Sequence, residues 1–268
     1  MFGAIYGDII GSYYEIHGTK TFDFPFQKDS SFTDDSVLIA AVCKTILSDP
    51  SNVTKFTLRK RAQAYGAHYR QYYSYFPNAG FGNMFAEWAR SPYAKNGHSY
   101  ANGAAMRVIP IGYAYKTMKQ TLLQVKASCL PTHNHHEAIV GAAAVAAAVF
   151  MARQRASKSD IRDFVERKFK YDLSISLSDI RSTHVFNSRS SYSIPPAIIA
   201  FLESHDYESA IRGAISLGGD ADTQACIAGG IAEAYYKEIP EHIKNFCDLK
   251  IDTSIKTVVK AFCEKYPV

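Results

Sequence analysis

The chain has 268 residues, 47% hydrophobic and 21% charged, a balance that excludes disorder as its main state. Thirty Lys and Arg against 25 Asp and Glu leave +5, too mild a bias to argue for nucleic acid but suited to an anionic small molecule. The longest small-apolar run, 138–151, falls short of the roughly 20 residues that span a bilayer, so no membrane partner is expected.

The N-terminal apolar run is interrupted early by Asp8 and has no basic flank, so it does not read as a signal segment. Gly3, Gly7 and Gly11 recur every four residues. On a helix they form a bare stripe that lets a second helix approach closely, with Glu15 near the helix end where a carboxylate can be aimed into a cleft. Ser31-Phe32-Thr33-Asp34-Asp35-Ser36 precedes a helical rhythm, Val37 to Ile46, that must stop at Asp49-Pro50. Further helices are predicted over 54–73, 137–155, 158–168, 196–204, 207–216, 222–237 and 253–266. Ser159-Asp160, Pro195-Pro196 and Asp206 supply start signals. The tyrosines between Tyr65 and Tyr75 read as a packed, partly exposed helix face. Residues 76–105, rich in Gly, Asn, Ser, Pro and aromatics, lack periodicity and are too long for a plain connector, which points to a functional loop. Only 173–177 (LSISL) alternates like a strand. The expectation is one all-α domain over 1–268, a compact orthogonal cluster of ten or more helices. Five cysteines, Cys43, Cys129, Cys226, Cys247 and Cys263, form no CxxC pair and read as buried free thiols of a cytoplasmic protein.

Two acidic clusters carry chemistry. Thr33-Asp34-Asp35-Ser36 and Gly218-Gly219-Asp220-Ala221-Asp222-Thr223 each stand before an apolar helix. Each alone reads as a helix cap. A cap needs one oxygen, however, and gains nothing from a preceding Gly-Gly that lets the backbone bend sharply. If the clusters face each other, Asp34, Asp35, Asp220 and Asp222 bring four negative charges together. At ~5 Å and an effective dielectric of ~20 each like-charge pair costs roughly 3 kcal/mol. Two Mg²⁺ ions balance that charge, and Thr33 and Thr223 add neutral oxygen donors. Hard oxygen ligands select Mg²⁺, Mn²⁺ or Ca²⁺ over zinc. Such a site activates water or clamps vicinal oxygens, with Glu15 as general base. Thr132-His133-Asn134-His135-His136-Glu137 lacks zinc spacing and reads as surface or capping histidines.

Gly7-Asp8-Ile9-Ile10-Gly11-Ser12-Tyr13-Tyr14-Glu15, Thr33-Asp34-Asp35-Ser36, Asn102-Gly103-Ala104-Ala105-Met106-Arg107 and the Gly218–Thr223 segment resemble, in order, the motifs of the ADP-ribosylglycohydrolases. The resemblance implies an all-α fold and two Mg²⁺ (or Mn²⁺) held by Thr33, Asp34, Asp35, Asp220, Asp222 and Thr223. It also implies hydrolysis at the anomeric carbon of the distal ribose of ADP-ribose, attached to a protein or small acceptor. Glu15, with Asp34 and Asp35, would be catalytic. By the same match Ser99 and nearby N–H groups would hold the pyrophosphate, Tyr100 would stack on adenine, and Asn102, followed by Gly103, would fix the loop or contact the phosphate side. His133 and Tyr192 would lie on the ribose side, and Arg107 would tie the loop to a carboxylate or to carbonyls, a phosphate contact being the alternative. His98 and Ala101 stand where family members often carry glycine. A related binuclear-metal hydrolase of another nucleotide sugar or phosphoester, and a non-catalytic ADP-ribose binder, are the alternatives. A monomer is expected.

Overall fold

In the computed structural model, which describes residues 1–267, the glycine stripe faces another helix. Gly3, Gly7 and Gly11 share one face of α1 (Phe2–His17), and against that face lies α12 (Ala221–Tyr236). A Cβ on Gly3 would come within 2.8 Å of the Gly229 carbonyl oxygen, and one on Gly11 within 2.5 Å of Asp222 Cα. No side chain fits there, so the two backbones touch along the middle of the molecule. The crossing sets the first turn of α12 against α1 between Asp8 and Glu15.

Around this pair the chain winds α2 (Asp34–Ser48), α3 (Leu58–Tyr75), α4 (Asn83–Arg90), α5 (Ile109–Ala114), α6 (Met118–Cys129) and α7 (His136–Arg153). There follow α8 (Lys158–Phe169), α9 (Leu177–Arg181), α10 (Ser190–Glu203), α11 (Tyr207–Ile215), α13 (Glu241–Asp248) and α14 (Thr253–Lys265). Short 3-10 turns span Asn102–Ala104 and Met106–Val108. The architecture is all-α, as expected. By length and composition α7 is apolar enough to cross a membrane, yet Ala142, Ala144, Val145 and Ala148 are fully buried in the core. Cys43, Cys129, Cys226 and Cys247 are buried free thiols and Cys263 is half-buried. Tyr65, Tyr69, Tyr72 and Tyr73 pack inside while Tyr75 is exposed.

Several local expectations are corrected. Residues 173–177 are not a strand. They run as coil into the one-turn α9, and the described residues hold only the isolated bridges His98–His133 and Ala101–Arg189. The aperiodic stretch contains α4, which buries Phe85, Ala86, Trp88 and Ala89. α8 starts from Ser157, whose hydroxyl accepts from Asp160 N–H while Asp160 accepts from Ser157 N–H. α10 begins at Ser190, so Pro195 and Pro196 lie inside it. The turn before them is held by Glu137 of α7, which accepts from Ser191 N–H at 3.0 Å, and by Ser193 Oγ, which donates back to the carbonyl of the N-cap Arg189 at 3.2 Å. Those contacts help offset the two hydrogen bonds that the prolines remove.

Candidate functional site

The cleft starts from Asp8, which sits fully buried in the middle of α1. A carboxylate there needs partners, and α2 provides them. Asp8 accepts from Thr33 N–H at 3.0 Å, Thr33 Oγ1 at 2.7 Å, Ser36 N–H at 3.1 Å and the Ser36 hydroxyl. The first turn of α2 is thereby fastened to α1. Thr33 also acts as the N-cap, accepting from Asp35 N–H at 3.3 Å. Opposite, Gly218 and Gly219 turn the chain through φ of 68° and 71°, a region open to glycine. Asp220 follows at the start of α12 without making a cap. Its Oδ2 accepts from Asn102 Nδ2 at 2.7 Å, and Asp222 accepts from Thr223 N–H at 2.7 Å.

The two clusters therefore do face each other. Asp8, Asp35 and Asp222 bring one oxygen each within 4.8 Å of the others, and so do Glu15, Asp220 and Asp222. Asp222 belongs to both triads. Thr223 Oγ1 donates to Asp35 Oδ2 at 3.3 Å, while Asp35 Oδ1 is buried with no partner among the described residues. Asp34 lines the same cleft outside either triad. Both acidic turns sit at helix N-termini, whose partial positive charge favours them, but not enough to offset their crowding. Burial, then repulsion from Asp8 and Asp220, pushes the Asp34 carboxyl up to about 8. Burial, then Asp220 and Asp8, raises Glu15 to about 7. Burial first, and neighbouring carboxylates after it, raise Asp35 and Asp222. Without cations such a cluster would hold protons. The orphaned Asp35 oxygen and the all-oxygen donor set fit hard divalent ions.

The cleft has a volume of about 380 Å³, within the range of small-molecule sites. Glu15, Thr33, Asp34, Asp35, Asp220, Asp222 and Thr223 line it, together with Ser99, Asn102, Gly103 and His133. The loop wall is pinned on both sides. Gly97 N–H donates to the Pro131 carbonyl at 2.9 Å, Ser99 N–H to Thr132 at 3.3 Å and Asn102 N–H to Ser188 at 2.8 Å. Ser99 Oγ accepts from Ala101 N–H at 3.1 Å. These N–H groups are thus engaged within the protein, and Asn102 holds Asp220. His133 is buried, with Nδ1 2.8 Å from Thr132 Oγ1. His135 caps α7, accepting from Glu137 N–H at 3.2 Å. Arg107 ties down carbonyl and hydroxyl oxygens of the 128–132 segment, with no carboxylate among its partners.

Of the expected contacts, Tyr100 stands at the rim and Tyr192 lies outside the cleft. Tyr100 is 52% exposed at the rim, beside His135 and beneath the Arg189 guanidinium at 5.4 Å. Tyr192 lines a separate depression, stacks on His184 at 4.9 Å and accepts from Val185 N–H at 3.2 Å. Sequence reasoning passed over Asp8 as a ligand-side residue. Its signal was the seven-residue spacing from Glu15, two helical turns along one face. Met84, Phe85, Trp88 and Phe186 also line the cleft, and no pattern in the sequence pointed to them.

A profile of the ADP-ribosylglycohydrolase family matches residues 1–267. The human protein "ADP-ribosylhydrolase ARH3" is 26% identical over 325 residues, covering 94% of this chain and 89% of the human one. Its Xenopus tropicalis counterpart is 25% identical, covering 89% and 86%. Among solved structures, the "ADP-ribosylglycohydrolase-related protein complex" superposes with a TM-score of 0.73 at 21% identity, covering 97% of this chain and 93% of that one. The structural likeness bears on the fold alone.

Proposed function

Because this chain belongs to the ADP-ribosylglycohydrolase family, we propose that it is a divalent-cation-dependent ADP-ribosyl hydrolase. It cleaves the glycosidic bond between the distal ribose of ADP-ribose and a protein or small-molecule acceptor. The observation that carries this reading is the pair of oxygen-only triads meeting at Asp222, in one cleft with the Ser99–Gly103 loop.

Two Mg²⁺ (or Mn²⁺) ions, held by Thr33, Asp34, Asp35, Asp220, Asp222 and Thr223 with Asp8 behind them, would neutralise the carboxylates and polarise oxygens of the sugar. The protein's own groups do the rest. The rigid loop wall and His133 bound the space for the sugar and phosphates. Water adds at the anomeric carbon, the bond to the acceptor breaks and the acceptor departs with a proton. Glu15, whose carboxyl is held near neutrality, is the group able to take the proton from water. Cations nearby would draw its pKa down and keep it ionised.

The test is release of free ADP-ribose from conjugates of arginine, serine and nucleobases by purified protein with Mg²⁺. Release that EDTA abolishes and Mg²⁺ restores is expected. Tight ADP-ribose binding with no turnover of any conjugate would instead assign a binding protein, and turnover of a different nucleotide sugar would move the substrate class.

A further inference from the structure

Arg107 is fully buried, and no carboxylate pairs with it among the described residues. Its Nη2 donates to the Ser128 carbonyl at 3.1 Å and to Thr132 Oγ1 at 2.8 Å, and the guanidinium lies over the Tyr69 ring at 4.3 Å. Thr132 is buried too, and its Oγ1 lies 2.8 Å from His133 Nδ1.

The direction of this chain follows from giving the buried Thr132 hydroxyl proton an acceptor. Arginine only donates, so Thr132 Oγ1 accepts from Arg107 and must send its single proton onward. The acceptor within reach among the described residues is His133 Nδ1. A neutral imidazole that accepts at Nδ1 carries its proton on Nε2. Imidazolium would set a proton on Nδ1 against the Thr132 hydroxyl proton and place a second cation beside Arg107. His133 Nε2 has no partner among the described residues and rests against Gly103, where a Cβ would lie 3.1 Å from it. Both residues line the cleft.

We propose that Arg107 and Thr132 are positioning residues that hold His133 as the neutral Nε2–H tautomer, a hydrogen-bond donor aimed at an oxygen of the bound ligand. His133 is thereby excluded as the base and left to orient the sugar. That the oxygen belongs to ADP-ribose rests on the proposed function, whereas the relay stands on geometry alone.

Long-range ¹H–¹⁵N correlation spectra of ¹⁵N-histidine-labelled full-length protein at neutral pH read the tautomer directly, with His133 assigned by its loss in His133→Asn. The expected result is a protonated Nε2 and an unprotonated Nδ1. In Thr132→Val the preference should disappear and the ADP-ribose Kd measured with Mg²⁺ should rise about tenfold, the effect of one misdirected hydrogen bond. Thr132→Ser should restore both. A protonated Nδ1 in the native protein, or a tautomer unchanged in Thr132→Val, overturns the relay. The expected tautomer with no ADP-ribose binding overturns the ligand assignment and the proposed function together, and leaves the relay standing.

Discussion

The first turns of α2 and α12 carry nearly the same residues and are built in opposite ways. On α2, Thr33 is a working N-cap, and Asp8 reaches across from α1 to take the Thr33 and Ser36 N–H groups. On α12, Asp220 caps nothing. A left-handed Gly218-Gly219 turn delivers it, and Asn102 from the loop wall holds it. Cap and site are thus compatible readings on α2, while on α12 Asp220 belongs to the site and Asp222 both accepts from Thr223 N–H and joins the two triads. Similar composition does not mean similar wiring, and each turn answers to a different part of the molecule.

Variants separate the two wirings. Asp222→Ala strikes both triads at once and should lower kcat/KM on the order of 10³-fold, checked by ADP-ribose release under saturating Mg²⁺. Asp8→Asn strikes the α2 turn and removes one charge from the Asp8–Asp35–Asp222 triad. Its amide oxygen can keep the Thr33 and Ser36 N–H groups, which share Oδ2, but its NH2 then faces the Thr33 hydroxyl in place of Oδ1, and activity and Mg²⁺ affinity should fall about 10- to 100-fold. Asn102→Ala, which frees Asp220 on α12 and also drops the amide's 3.0 Å bond to Ser193 Oγ, should cost about tenfold in Mg²⁺ affinity by titration. A loss as large as that of Asp222→Ala would mean that the loop, not α12, carries the site.

The crowded carboxylates also give stability a pH signature. Asp34 titrates near 8 in the fold against an ordinary 3.8, so between those values the folded state binds more protons than the unfolded one. Metal-free protein therefore loses stability as pH rises from about 4 to about 8. Thermal unfolding in EDTA should show a lower Tm at pH 8 than at pH 5, and Mg²⁺ should raise Tm more at the higher pH. Equal metal effects at both values would break the charge argument. At the rim, Tyr100→Ala should raise KM about tenfold with kcat unchanged, the loss of one base stack. Tyr192→Phe, outside the cleft, should leave kinetics within about twofold.

Much of this was legible in the chain. The glycine stripe forecast that a second helix would approach α1 closely, because bare backbone favours that contact, but it did not name α12 as the partner. The two acidic turns were recognisable because four carboxylates before apolar helices make an unstable combination without compensation. Legibility failed where distant contacts decide. The start of α10 depends on Glu137, which is far from it in sequence. The Ser99 loop spends its N–H groups on Pro131, Thr132 and Ser188, partners that no local pattern names. α4 went unseen because its aromatic residues follow a buried face only one to two turns long.

The backbone contact beneath Asp222 has a bearing on attempts to harden this scaffold. Exchanging helical glycine for alanine is a common stabilising device, since it restricts the unfolded chain. At Gly7 and Gly11 that route is closed, because the added methyl would wedge the two helices apart. Such a wedge would spread the acid groups of α1 from those of α12, so resistance to heat and hydrolytic power cannot be tuned independently along this seam.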